Sequence, residues 1–285
     1  MTKAISLAGI VILYKADIAT LDNIESYIDF LETLFVVDNG DSEEVITKLQ
    51  SAYTNIIFIK HNDNKGISIS LNEVLDMCKG KYTHLLTMDQ DSKFSDGSMR
   101  NYCYEMNRFD WDKTLGLSPT IIDHDVAPLY SGKVKWERTL RVITSGNVIS
   151  VENAIKIGMF DEKLFIDEVD FEFCYKGNLA GFSVYKCMNG IYLQHALGNK
   201  NCFIYRVLRC MNHGFIRKYY IVRNRMYIYS KYHKIDEKFF FTYYIITNLK
   251  LFFDIIFLEK DKIRKLRYYF LGIKDFYQGR MGKRF

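Results

Sequence analysis

Over the first ninety residues, short β-branched runs alternate with stretches whose apolar residues recur every three or four positions. Ala4–Leu13 reads as a buried strand. Ile18–Leu31 predicts a helix, with apolar positions at Ile18, Leu21, Ile24, Ile28 and Leu31. Leu34–Val37 is a second strand, closed by the turn signal Asp38-Asn39-Gly40. Ser42–Ser51 then reads as a helix, Ile56–Lys60 as a strand, Ile67–Cys78 as a helix, and Thr83–Met88 as a strand that stops at Asp89. This cadence predicts an α/β fold with a parallel sheet flanked by helices, and it puts ligands at the carboxyl ends of the strands.

The polar residues of interest fall at those ends: Asp17, Asp38, Asn62 to Gly66, and Asp89. No GxGxxG follows the first strand and no P-loop is present, which excludes the common dinucleotide and NTP cradles. A diphosphate in such a crevice must then be neutralised by a metal or by basic side chains.

Composition adds three constraints. With 48% hydrophobic and 26% charged residues, the 285-residue chain is expected to fold around a sizeable core. The six cysteines (Cys78, Cys103, Cys174, Cys187, Cys202 and Cys210) have no CxxC spacing, and the N-terminal apolar run ends like a strand rather than a signal peptide. Buried thiols in a reduced, cytoplasmic protein are the expectation. Finally, the net charge of +5 is split: residues 1–200 balance at −8 and residues 201–285 at +13. An acidic body of 1–200 is joined to a basic, aromatic-rich tail of 201–285 that reads as helix.

Thr87-Met88-Asp89-Gln90-Asp91-Ser92 carries the most chemistry. Two carboxylates two residues apart at a strand exit can converge on one hard cation, Mg²⁺ or Mn²⁺, which shares its sphere with substrate phosphates. Spacing alone favours a solvated surface turn; the strand ahead and the acids at neighbouring strand ends reverse that in favour of the metal. In Phe160–Glu172, six acids lie among large apolar groups, ahead of a helix that starts near Asp167 or Glu168 and stops at Gly181. Most can complement the helix dipole, and one can serve as a general base. His195 follows Ile191-Tyr192-Leu193, which reads as a strand, so it too falls at a strand end and is a candidate third ligand or a structural histidine.

The order Ile10–Asp17, Val36-Val37-Asp38-Asn39-Gly40, Asn64-Lys65-Gly66, Met88-Asp89-Gln90-Asp91, Ser145-Gly146-Asn147, Phe165–Glu172 and His195 resembles family 2 glycosyltransferases, over roughly residues 4–230. The likeness is greatest to the bacterial rhamnosyltransferase-like branch that builds surface polysaccharides. It implies a GT-A fold, mostly parallel and Rossmann-like, with a C-terminal helical extension, and an inverting mechanism. It implies that Asp17, Asp38, Asn64, Lys65 and Gly66 border the nucleotide. Asp89 and Asp91 would be the DxD pair, with Asp91 on the metal, Asp89 on the ribose or the metal, and His195 completing the site. The family's catalytic acid falls on Asp170, with Asp167 or Glu168 as alternatives because Val169 replaces a common acid. The implied partners are a nucleotide-diphosphate sugar (dTDP-rhamnose, UDP-glucose or UDP-galactose) and a glycan, lipid-linked or glycoprotein acceptor. A non-catalytic sugar-nucleotide-binding or scaffold protein is the competing class. A nucleotidyltransferase ranks below both, because its basic Gly-rich loop is missing.

In the tail, the segment from His213 to Arg225 resembles one that closes over the site in the same branch, and Arg217, Arg223 and Arg225 are candidates to meet diphosphate or an anionic acceptor. Phe239–Leu258 is the most apolar stretch, and Asn248, Lys250 and Asp254 argue against its spanning a membrane. Packing or homo-oligomerisation ranks first for it. Peripheral contact with the inner membrane face through Lys260, Lys262, Arg264, Lys265 and Arg267 ranks second. No nucleic-acid-binding motif is present.

Overall fold

The computed structural model describes residues 4–123, 133–195 and 212–285. Cys202, Cys210, Pro128 and the first residues of the basic tail lie outside them. The chain divides into two compact units: residues 1–161 with 173–196, and residues 162–172 with 197–285.

The first unit is built on an eight-stranded sheet. Its first half contains β1 (Leu7–Leu13), α1 (Thr20–Glu25), β2 (Thr33–Asp38), α2 (Glu43–Ala52), β3 (Ile56–Lys60), α3 (Ile67–Cys78) and β4 (His84–Asp89). After these come β5 (Ser92–Phe94), α4 (Ser98–Met106), β6 (Thr114–Ser118), β7 (Thr120–Ile122), β8 (Lys135–Thr139), β9 (Asn147–Ser150) and α5 (Val151–Lys156). The helix α6 (Val169–Leu179) leads to β10 (Ser183–Asn189) and β11 (Tyr192–His195). Strand order is β3-β2-β1-β4-β9-β6-β10-β8, with β1, β2, β3 and β4 mutually parallel and β9 antiparallel to both its neighbours. The chain steps outward from β1 through β2 to β3 and returns on the other side of β1 as β4. That reversal opens a crevice beyond the carboxyl ends of β1 and β4.

β1 is buried at nearly every position, because a parallel strand covered by helices on both faces has no polar side. The core joins Val11, Leu13, Val36, Leu86 and Met88 of these strands to Ile24 and Leu49 of the helices and to Tyr27 in the turn after α1. β3 and α3 match the sequence expectation to the residue, and α6 runs as expected up to the left-handed Gly181. Cys78, Cys174 and Cys187 are buried thiols and Cys103 is half-buried.

The Ile18–Leu31 helix is a correction. It breaks after Glu25, and a 3₁₀ turn follows at Ile28–Phe30. The Ser26 hydroxyl donates back to the Asn23 carbonyl (2.6 Å) and accepts from the Phe94 amide (3.0 Å), so it competes with the helix ladder. A second sheet was not foreseen: β11 pairs antiparallel with β5 and parallel with β7.

The second unit consists of the segment 162–172 and the helices α7 (Phe215–Tyr232), α8 (Glu237–Phe240), α9 (Thr247–Phe257) and α10 (Lys262–Tyr277), with a π-helical stretch at Phe241–Ile246. α7 and α10 approach closely at Gly272, where a Cβ would stand 2.7 Å from the Tyr219 carbonyl oxygen. The buried Glu259 carboxylate bridges Lys218 (2.5 Å) and Lys265 (2.8 Å), so that Lys265, a candidate for headgroup contact, is an internal residue. Glu237–Phe257 is long and apolar enough to cross a membrane by length and composition, in spite of Asn248, Lys250 and Asp254.

His84, 5% exposed and packed edge-on against Trp111, supplies a test of the core. Burial pushes its imidazole from 6.5 down to about 4. The unfolded chain therefore takes up this proton at a higher pH than the native one. The stabilisation is complete above about pH 6.5 and is lost as pH falls toward about 4, a loss on the order of 3 kcal/mol. His84→Phe should flatten the fall of melting temperature across that window. An equally steep fall in the variant would contradict this.

Candidate metal and nucleotide site

The register of the parallel strands assembles the acids. Leu13 of β1 lies level with Asp38 on one side, and Ile12 lies level with Asp89 on the other. The two carboxylates thus leave the sheet at one edge, on strands two apart, which is about 10 Å. Asp38 is 2% exposed and its Oδ1 accepts from the Gly40 amide (2.9 Å). Asp17, after β1, is exposed and accepts from the Ala19 amide (2.9 Å).

On the Asp38 side, the turn after β3 is held by Asn39. Its Nδ2 donates to the Gly66 carbonyl (3.1 Å), and its Oδ1 accepts from the Lys65 amide (3.4 Å) and lies 2.7 Å from His61 Nδ1. Asn64 Oδ1 accepts from the Gly66 amide (2.9 Å). Asn64, Lys65 and Gly66 thereby lead into the N-terminus of α3, at the same sheet edge as Asp38.

Asp89-Gln90-Asp91 is fixed from three directions. Gln90 clasps the backbone of Tyr14: Oε1 accepts from its amide (2.8 Å) and Nε2 donates to its carbonyl (3.3 Å). Asn23 Nδ2 donates to the Gln90 carbonyl (2.9 Å), and the Asp89 amide donates to Ser145 Oγ (3.2 Å). Behind them the Gly146 amide donates to the Thr87 carbonyl (2.8 Å). Gly146 has φ +75°, and a Cβ there would meet Pro119 at 2.7 Å, so glycine is required.

The second sheet delivers the third ligand. The pairing of β11 with β5 sets His195 opposite Ser92, and the imidazole Nδ1 lies 2.7 Å from Ser92 Oγ and 3.5 Å from Asp91 Oδ1. Ligand atoms of Asp89, Asp91 and His195 all lie within 4.8 Å of one another. Two carboxylates and an imidazole suit Mn²⁺ or Mg²⁺, and their partial exposure leaves positions for phosphate oxygens. Sequence reasoning gave Ser92, Gln90, Asn23 and Ser145 no role. Ser92 follows the acid pair directly, and that adjacency was the available signal. Burial raises the Tyr27 phenol, and the nearby Asp89 charge raises it further, so this ring stays neutral beside the acids.

The acidic segment belongs to the second unit and has its own geometry. Asp167 and Glu168 are successive non-glycine residues in the left-handed region, at φ +61° and +68°. Asn224 Nδ2 holds this turn by donating to the Ile166 (2.7 Å) and Asp167 (3.0 Å) carbonyls. Asp167 Oδ1 accepts from Arg217 Nε (3.2 Å) and Nη2 (3.1 Å). Burial raises the Asp167 carboxyl, against the opposing pull of Arg217. Glu168 faces Arg225 (3.5 Å) and accepts from the Tyr244 hydroxyl (3.1 Å), and Glu172 is paired with Lys231 (2.9 Å) and Tyr232 (2.5 Å). Asp170 stands half-buried in the first turn of α6, its Oδ1 accepting from the Phe171 amide (2.9 Å).

Arg223 requires a correction. It is 0% exposed, lies 5.1 and 5.0 Å from the rings of Tyr219 and Tyr220, and donates to the Tyr219 hydroxyl (3.1 Å). It is enclosed within the second unit and does not reach the surface. Arg217 and Arg225 bind the acids of the turn.

Comparison with known proteins bears on the fold and the overall likeness. A curated relative, the dTDP-rhamnosyl transferase RfbF of Shigella flexneri, is 27% identical over 273 residues, covering 87% of this chain and 86% of the relative. S. aureus TarS 1-349, solved with UDP-GlcNAc, superposes with a TM-score of 0.57 at 14% identity over 96% of this chain and 81% of that one. GalNAc-T7, solved with UDP, GalNAc and Mn²⁺, gives 0.56 at 12% identity over 69% of this chain, which spans only 44% of that protein. Residues 12–126 match the model of Glycosyl transferase family 2, and the chain has the GT-A fold.

Proposed function

We propose that the protein transfers a rhamnosyl group from dTDP-rhamnose to a hydroxyl of a glycan, lipid-linked or glycoprotein acceptor, with inversion at the anomeric carbon. The reading is carried by one observation: Asp89, Asp91 and His195, far apart in sequence, come within 4.8 Å of one another at the sheet edge. The donor is supported by the rhamnosyl relative, which matches most of both chains. A divalent cation bound there supplies positive charge against the diphosphate leaving group.

The chain's own residues do the rest. Asp38 contacts the base with Asp17 near it, and Asn64, Lys65 and Gly66 border the nucleotide at the start of α3. Asp170 accepts the acceptor's hydroxyl proton as that oxygen bonds to the anomeric carbon. The bond from that carbon to the phosphate oxygen breaks at the same time, and its electron pair leaves with the dTDP. Because this is one displacement with no protein nucleophile, the configuration inverts. Asp170 is chosen because the resemblance puts the family's catalytic acid there, with Asp167 and Glu168, which engage Arg217 and Arg225, as the alternatives. Arg217 and Arg225 then serve to hold the turn ahead of α6.

A donor panel with Mn²⁺ tests the reading. Consumption of dTDP-rhamnose should exceed that of UDP-glucose and UDP-galactose by at least about tenfold in kcat/KM. Equal use of the UDP sugars would overturn the donor. Consumption of none, with or without acceptors, would favour a binding protein.

A further inference from the structure

The C-terminal unit carries a surface that the transfer chemistry leaves unused. Phe257 stacks on Phe253 (ring centroids 6.3 Å), and Phe252 touches both Phe253 (5.6 Å) and Phe270 of α10 (6.0 Å). These contacts make one continuous aromatic patch across α9 and α10. Three of its members stand in solvent: Phe253, Phe257 and Phe270 are 52%, 68% and 55% exposed. Single exposed apolar residues are ordinary, but a joined set of phenylalanines marks an interaction surface.

Charge decides what it meets. Ile263, Arg267, Phe270 and Lys274 recur at i, i+4, i+7 and i+11 of α10, so the two cations share one helix face with the exposed rings. Lys260 is exposed in the link between α9 and α10. Residues 201–285 balance at +13, and of their six acids Glu259 and Asp275 are buried while Asp254 is paired with Lys250. A second copy would bring this basic face against itself, and like charges repel. An anionic bilayer is its complement.

The helix lies along such a surface and does not cross it. Tyr244 and Ile255 are 0% exposed, Tyr244 donates to Glu168, and the Asn248 carbonyl accepts from the Tyr269 hydroxyl (3.2 Å). One side of Glu237–Phe257 is thereby fastened to its own unit, and the other shows aromatic rings beside cations, the pattern of an interfacial helix. We propose that the α9–α10 face docks on anionic lipid, with Phe253, Phe257 and Phe270 in the interface and Lys260, Arg267 and Lys274 at the headgroups. This does not depend on which sugar is transferred.

The test is co-sedimentation of the full chain with vesicles of two parts phosphatidylcholine to one part phosphatidylglycerol, and with pure phosphatidylcholine. Binding should be confined to the anionic vesicles and be released by high salt. The triple variant Lys260→Gln/Arg267→Gln/Lys274→Gln should lower the partition coefficient on the order of 100-fold. Phe253→Ser/Phe257→Ser/Phe270→Ser should lower it at least about tenfold, with its thermal melt checking that it folds. The charge variant, confined to exposed positions, decides alone if the other does not fold. Equal binding to neutral vesicles, no binding to either kind, or undiminished binding by the charge variant would overturn the proposal. So would retention through high salt and carbonate extraction, which would mark a spanning helix. A dimer in sedimentation velocity that the phenylalanine variant abolishes, without lipid binding, would make the face a contact between copies instead.

Discussion

Asp170→Asn should reduce kcat for sugar transfer by about 10³-fold while leaving the affinity for nucleotide within about twofold, since a general base contributes about 10² to 10⁴ to such a step. Asparagine keeps the shape of the side chain and can still accept from the Phe171 amide, as Asp170 Oδ1 does at 2.9 Å. What it cannot do is take a proton. The variant therefore separates removal of the base from damage to the turn. Asp167→Asn is the comparison: it weakens the pairing with Arg217 and should lower thermal stability more than it lowers kcat. If Asp170→Asn retained near-normal turnover and Asp167→Asn or Glu168→Gln lost it, the base would move to the residue that lost it.

The second large effect is expected at the acid pair. Asp91 is half-exposed and lies 3.5 Å from His195, and its neighbour Asp89 is tied through its amide to Ser145. Asp91→Asn changes one charge on a side chain that carries little of the core, so the fold should persist. Activity at saturating Mn²⁺ should fall by about 10² to 10³, the range seen when one group that stabilises developing negative charge is removed. His195→Gln should fall less, because it withdraws a neutral ligand and leaves both carboxylates.

Much of this arrangement was legible in the sequence because it rests on local patterns. Ile56–Lys60 and Ile67–Cys78 are unbroken runs of one periodicity, and their ends coincide with the observed strand and helix. Asp38 and Asp89 were placed at strand ends by the same patterns. What escaped depends on contacts between distant residues. The break at Ser26 follows from its bond to Phe94, and the three-residue β5 is too short to have a period. The strand before His195 is legible, but without its pairing to β5 the approach of His195 to Asp91 has no visible cause. Arg223 misled for a related reason. An arginine among tyrosines suits either a ligand-binding helix face or a buried cage, and only the packing of α7 against α10 selects the cage. Likewise, the left-handed pair Asp167–Glu168 contains no glycine to announce it.

The claim beneath the enzymatic reading is that Asp89, Asp91 and His195 hold one divalent cation that shares its charge with a nucleotide diphosphate. Calorimetric titration of dTDP into the protein, with Mn²⁺ and with chelator, tests it in the wild type and in Asp91→Asn. Mn²⁺ should tighten dTDP binding by at least about tenfold in the wild type and leave Asp91→Asn nearly unmoved. Equal tightening in both proteins, or none in the wild type, would contradict it.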